Sequence, residues 1–143
     1  MDEQKRIAIR AASEDDLPAI AEIQAGAHEA SQWNPRDYLT YDCRVAEVEG
    51  AVVGFVVSRA VATSEWEILN LAVAADVRRQ GIGRFLLSDT LAGRSGEFFL
   101  EVRESNTAGR RFYERLGFQV VTKRVRYYAN SEETAIVMKV YSC

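Results

Sequence analysis

The chain is expected to fold as an α+β (mixed α/β) domain. It should hold a central, mostly antiparallel sheet of about seven strands, with a parallel pair at its middle and about four helices on its faces. Three observations predict this. β-branched apolar runs alternate with amphipathic stretches along 143 residues, in the order β-α-α-β-β-β-α-β-α-β-β. Two consecutive strand–helix units in the middle should run parallel, because each strand is followed by a helix rather than a tight turn. Nothing that reads as a linker, repeat or low-complexity segment interrupts the chain, so residues 1–143 are read as one domain.

The elements follow in order. Lys5 to Ala11 alternates as a first strand. Ser13-Glu-Asp-Asp16 reads as a helix N-cap with an acidic first turn, and Pro18 lies early enough to be tolerated. Leu17, Ile20, Ala21 and Ile23 give that helix its apolar side. Asn34-Pro35 reads as a cap followed by proline at the first helical position, opening a short second helix through Tyr41. Arg44 to Glu49 and Ala51 to Val61 are two strands of a hairpin turning at Glu49-Gly50. Trp66 to Val73 is the fourth strand and Ile82 to about Ala92 the third helix, stopped by Gly93-Arg-Ser-Gly96. Phe98 to Val102 is nearly all apolar and is expected to be buried on both faces. Asn106 to Leu116 is a fourth helix, ended by Gly117 where a left-handed residue is wanted. Gln119 to Arg126 and Ala135 to Tyr141 close the chain as strands.

The segment after the fourth strand carries the first chemical signal. Arg78-Arg-Gln-Gly-Ile-Gly83 runs straight into Arg84-Phe-Leu-Leu87, so two glycines one residue apart open a helix. Glycine lets main-chain amides approach a ligand closely. The first turn of a helix leaves its N–H groups without intrahelical partners and carries partial positive charge. Together these make a seat for an anion, most often phosphate. The spacing excludes the dinucleotide fingerprint, since Leu86 stands where a third glycine would be, and the triphosphate-binding loop is absent. A purely structural tightening of the turn stays open at this point.

Composition narrows the class. A hydrophobic content of 48% with 27% charged residues is that of an ordinary globular protein. Net charge is −3, which argues against nucleic acid as the primary ligand. Cys43 and Cys143 lack the spacing of a redox or metal pair, so reduced thiols, no metal and a cytoplasmic setting are expected. The charged N-terminus does not read as a signal peptide, and no run approaches the ~20 apolar residues of a membrane span.

Three blocks then stand in order: Leu69-Asn-Leu-Ala-Val73 through Gly83; Leu100-Glu-Val-Arg-Glu-Ser-Asn106; and Arg111-Phe-Tyr-Glu-Arg-Leu-Gly-Phe118. With them the chain resembles the GNAT superfamily of acetyl-CoA-dependent N-acetyltransferases, over about Trp66 to Val140 and more loosely before it. Within it, the chain looks most like the bacterial ribosomal-protein-alanine acetyltransferases. The resemblance implies acetyl-CoA as cofactor, with Arg78, Arg79, Gln80, Gly81, Ile82, Gly83 and Arg84 around its pyrophosphate. Leu71, Ala72 and Val73 would carry the pantetheine arm on their backbone, and Val73 N–H would polarise the thioester carbonyl. Asn106 would reach the cofactor from the next turn. Glu101 would be the general base and Tyr113 the general acid. Trp33, Tyr127 and Tyr128 would line the acceptor side. The implied acceptor is a protein N-terminus, a small amine being the alternative; a non-catalytic acyl-CoA sensor is a third reading. The state would be monomer or homodimer.

Each assignment has a structural counterpart. A carboxylate in an apolar strand is costly unless hydrogen-bonded or functional, so Glu101 could instead be an edge-exposed or paired side chain. Tyr113 could be a core tyrosine, and Asn106 a plain N-cap. Arg110 and Arg111 read as solvated helix charges, and His28 as structural. Two departures from the family pattern bear on the acceptor: a short run from Gly83 to Leu100, and alanine rather than proline after Tyr128.

Overall fold

A computed structural model of the chain describes residues 6–27, 30, 32–78, 80–125 and 133–142. The strands are β1 (Ile7–Ala11), β2 (Asp42–Val48), β3 (Ala51–Ala62), β4 (Glu65–Val73), β5 (Gly96–Arg103), β6 (Gln119–Arg124) and β7 (Ala135–Ser142). The α-helices are α1 (Leu17–Ala25), α2 (Ile82–Leu91) and α3 (Thr107–Arg115). Among the described residues the strands pair in the order β1-β2-β3-β4-β5-β7-β6, with β4 and β5 as the parallel pair. The expected mixed sheet, with its parallel pair at the middle, is therefore present. The chain divides into two compact units, one of residues 1–59 with 69–92 and the other of residues 60–68 with 93–143.

In the first unit the predicted second helix is a 3-10 helix, Pro35–Thr40, rather than an α-helix. Asn34 does cap it, its side chain accepting from Arg36 N–H at 3.1 Å. The tighter winding turns Tyr38 fully inward, where it stacks on Phe55 with ring centres 5.7 Å apart. Ile20, Ile23, Val45, Phe55, Val57 and Ala72 complete that core. Ile82, Leu86, Leu87 and Thr90 form the buried stripe of α2. It lies close on β3, where a Cβ at Gly54 would come within 3.1 Å of Leu86 and 3.2 Å of Ile82. The acidic turn before α1 closes on itself: Asp16 accepts from Ser13 N–H at 2.8 Å and takes the Arg10 guanidinium in a two-point pair at 2.8 and 2.7 Å. Hydrogen bonding from Arg10 holds the Asp16 carboxyl below its ordinary value.

In the second unit β5 corrects an expectation. Its residues alternate between buried (Phe98, Leu100, Val102) and half-buried (Glu97, Phe99, Glu101, Arg103), so only one face is fully enclosed. The antiparallel partner β7 sets this register, pairing Glu101 with Val137 and Leu100 with Met138. Apolar content alone did not reveal the period of two, because Phe99 occupies the more open face beside the charged residues. Trp66 stacks on Phe98 at 4.8 Å. The end of α3 matches expectation: Gly117 is left-handed at φ 97, and Phe118 N–H returns to Tyr113 C=O at 3.0 Å. No helix among the described residues is long and apolar enough to cross a membrane.

Candidate active site

The turn into α2 is where the sequence places the anion seat. Gly81 stands at the N-cap with φ 82, in the left-handed region where a side chain would be strained. Phe85 N–H is the donor that meets Gly81 C=O, at 3.0 Å. The amides of Ile82, Gly83 and Arg84 precede it in the first turn, where helix geometry provides no acceptor, and Gly81 has no side-chain oxygen to cap them. These donors lie at the positive end of the helix dipole. Gln80 and Arg84 are exposed beside the turn, and Ile82 is buried beneath it. Arg78 is committed elsewhere: its Nε donates to Val73 C=O at 3.1 Å and its Nη2 to Gly26 C=O at 3.4 Å. It braces the loop. Arg79 lies outside the described residues.

β4 leads into this turn. Parallel pairing of β4 with β5 runs from Glu65↔Glu97 to Ile68↔Leu100, and β4 continues beyond that register to Val73. On the β3 side Ala74 N–H donates to Val53 C=O at 2.8 Å. Within Leu69–Val73, Leu71 N–H is taken by the Asn70 side chain at 3.0 Å. The expectation that the Leu71 backbone meets an extended arm is thereby narrowed to its carbonyl. Ala72 is buried and Val73 half-buried.

Behind that strand lies a cluster the sequence reading missed. Asn70 donates through Nδ2 to Tyr38 Oη at 3.0 Å and to Gln24 Oε1 at 3.2 Å. Tyr38 in turn donates its hydroxyl proton to Gln24 Oε1. Gln24 Nε2 donates to Trp33 C=O at 2.6 Å. The signal for this was Asn70, a lone amide in an apolar strand, which must be satisfied if buried. Its partners come from α1 and the 3-10 helix, and spacing does not identify them. Trp33 itself is 49% exposed, its ring 6.5 Å from that of Tyr38.

The second unit presents side chains. Glu101 projects from the half-buried face of β5, where Arg124 Nη1 of β6 meets its Oε1 at 2.9 Å, the Glu101 side chain being 20% exposed. The paired-carboxylate alternative is thus realised, on one oxygen. Asn106 caps α3, its Oδ1 accepting from Gly109 N–H at 2.9 Å. Gly109 makes room for it, since a Cβ there would lie 2.5 Å from Asn106 Nδ2. The cap reading therefore holds for the oxygen. The preceding turn is locked by Glu133, which pairs with Arg103 at 3.1 Å and accepts from Ser105 N–H at 3.1 Å and from its hydroxyl. The Ser105 hydrogen bonds, more than Arg103, hold the Glu133 carboxyl below its ordinary value.

Tyr113, on α3, sits edge-on against Phe112 and Phe118, at 5.2 and 5.6 Å between ring centres. Burial pushes its hydroxyl up to about 12. A phenol in these surroundings stays protonated across the neutral range, as a proton donor must. Tyr127, Tyr128 and His28 lie outside the described residues. Cys43 is free and buried, its thiol pushed up to about 12 chiefly by desolvation, which leaves it inert as a nucleophile.

Known proteins share sequence and fold with this chain. Residues 40–120 match the family model described as an acetyltransferase (GNAT) domain. The chain is 36% identical over 134 residues to the ribosomal protein bS18-alanine N-acetyltransferase of Escherichia coli (strain K12), covering 86% of this chain and 89% of that protein. The crystal structure of the ribosomal-protein-S18-alanine N-acetyltransferase from Escherichia coli superposes with a TM-score of 0.80 at 30% identity, covering 96% of this chain and 94% of that one. Ard1 from Thermoplasma volcanium superposes at 0.85 with 29% identity, covering 96% and 98%.

Proposed function

As a member of the GNAT acetyltransferase family, to which the chain belongs, this enzyme transfers an acetyl group from acetyl-CoA, and we propose that its acceptor is the N-terminal α-amine of a protein, a ribosomal protein foremost. The observation that carries the acceptor assignment is the 36% identity to the bS18-alanine enzyme, which spans 86% of this chain and so extends well beyond the cofactor turn. Such an acceptor places the reaction in the cytoplasm.

The proposed roles follow from the chemistry each group offers. Amides of Ile82, Gly83 and Arg84 hold the pyrophosphate, with Gly81 supplying the turn and Gln80, Arg79 and Arg84 flanking it. Val73 N–H polarises the thioester carbonyl, and Leu71 C=O and Ala72 bear the pantetheine arm. Arg78 contributes by bracing the loop, and Asn106 through its amide nitrogen. Trp33, Tyr127 and Tyr128 belong to the acceptor side. An α-amine has a pKa of about 7.7–8.0, some 2.5 units below lysine, so much of it is already neutral near pH 7. Glu101 then removes the remaining proton through its second oxygen, directly or by way of a water, while Oε1 stays with Arg124. The amine attacks the carbonyl carbon, the C–S bond breaks, and Tyr113 protonates the departing thiolate. The departing thiolate, whose parent thiol has an ordinary pKa of about 8.5, is a weaker base than the Tyr113 phenolate, but the apolar setting that raises the phenol pKa also raises that of a thiol formed beside it.

Thiol release from acetyl-CoA tests the acceptor across a panel of N-terminal alanine peptides, N-blocked lysine peptides and small amines. Turnover is expected on free α-amines of peptides and not on the blocked ones. Activity confined to small amines overturns the protein acceptor. Tight coenzyme A binding with silence on every acceptor leaves the sensor reading.

A further inference from the structure

The buried amide cluster behind β4 has no place in the chemistry above, yet it touches two segments assigned to substrates. Asn70, Tyr38 and Gln24 are 6%, 0% and 5% exposed, and their polar atoms form one directed chain. Asn70 donates to Tyr38 and Gln24, Tyr38 donates to Gln24, and Gln24 donates onward to the Trp33 carbonyl. Exchanging the oxygen and nitrogen of either amide would set donor against donor or acceptor against acceptor at these buried contacts. At the other end Asn70 Oδ1 takes Leu71 N–H, so the side chain is tied directly to the main chain of β4. Three leucines in these places would fill similar space and avoid the burial of polar groups. What they would lack is direction.

We propose that the Gln24–Tyr38–Asn70 chain is a positioning device: Asn70 orients the Leu71–Val73 main chain that carries the thioester, and Gln24 registers the Trp33 segment against it. The inference rests on the acetyl-transfer reading of β4 and adds three positioning residues to it. A second tie acts in the same direction, since Gln32 Nε2 donates to the carbonyls of Gln24, Ala27 and Ala30 at 2.9, 3.2 and 3.2 Å, fastening the end of α1 from which Gln24 projects. The pyrophosphate seat takes no part, being made by the α2 amides, so binding of coenzyme A and orientation of its thioester are separable.

The test compares wild type, Asn70→Ala and Tyr38→Phe by amide hydrogen exchange, calorimetric coenzyme A binding and steady-state kinetics. Asn70→Ala is expected to speed exchange at Leu71 at least about tenfold while the β2 amides keep their rates. It should lower kcat at least about twentyfold with the coenzyme A Kd changed less than about threefold. Tyr38→Phe, which keeps the ring and its packing, should shift the same readouts in the same direction by about three- to fivefold, and it carries the test if the alanine variant does not fold. Gln24→Met should raise the acceptor KM more than the acetyl-CoA KM. Unaltered Leu71 exchange overturns the proposal, as does a fall in kcat matched by an equal loss of coenzyme A affinity. A wild type that ignores N-terminal peptides overturns the acceptor assignment instead, and the Leu71 exchange rate then still decides this one.

Discussion

In the proposed reaction, the turn at the head of α2 and the Glu101–Asn106–Tyr113 segment use different parts of the polypeptide. The turn acts with main-chain N–H groups, and its one strict demand on side chains is that Gly81 have none, given φ 82. The other segment would act through side chains, and each is conditioned by what lies against it: Glu101 by Arg124 of β6, Asn106 by the space at Gly109, Tyr113 by Phe118. A main-chain site is set by local conformation, while a side-chain site is set by what surrounds it.

Substitutions can break or sharpen that contrast. The largest effect should come from Tyr113→Phe, which removes one oxygen from an otherwise intact aromatic cluster. We expect kcat to fall by about 10²–10⁴ with coenzyme A affinity nearly unchanged, read by single-turnover kinetics beside calorimetry. Loss of affinity in step with kcat would show that the two regions are not separable.

Next is Glu101→Gln, with an expected loss of about 10–10² in kcat/KM. The deficit should widen as pH falls below about 7.7, where more of the α-amine carries its extra proton. A flat deficit across a pH profile would reduce Glu101 to its ion pair with Arg124.

A smaller effect tests the turn. Gly81→Val forces a branched side chain into the left-handed region at a cost of about 1–2 kcal/mol and should weaken coenzyme A binding about tenfold. Arg84→Ala, which leaves the amide in place, should change affinity only about two- to threefold. Equal losses from the two would mean that arginine charge, rather than the main chain, holds the phosphates.

The smallest effect is on stability. Tyr113 is raised from 10 to about 12 and Cys43 from 9 to about 12, both because burial disfavours the charged form. Their neutral forms contribute stability that is complete below about pH 9 and lost as pH rises toward 12. The urea midpoint should hold through neutral pH and decline across that alkaline window, less steeply in Cys43→Ala. Asp16, lowered by Arg10, has the opposite sign: its contribution is present above its ordinary value near 3.8 and lost below it.

Much of the fold was legible because periodicity and punctuation are local. The helix stop at Gly117, the Asn34 cap and the parallel pair could all be read from neighbouring residues. The winding of Pro35–Thr40 was not, since an α-helix and a 3-10 helix share a cap and differ in where they send Tyr38. The two-sided burial expected of β5 failed because hydrophobicity reports what a residue prefers, whereas β7 and the sheet register decide which face it occupies.

The candidate site divides along the same line. From its own residues the chain specified a glycine turn opening a helix, a carboxylate in a strand and a tyrosine one turn before a helix-ending glycine, because each depends on one conformation or one residue type. Tertiary structure alone decided that Arg78 braces its loop, that Glu133 locks the turn before Asn106, and that Asn70 joins Tyr38 and Gln24. Hydrogen bonds and ion pairs need their atoms about 3 Å apart and aligned, and residues distant in the chain reach that distance only once the packing around them has formed.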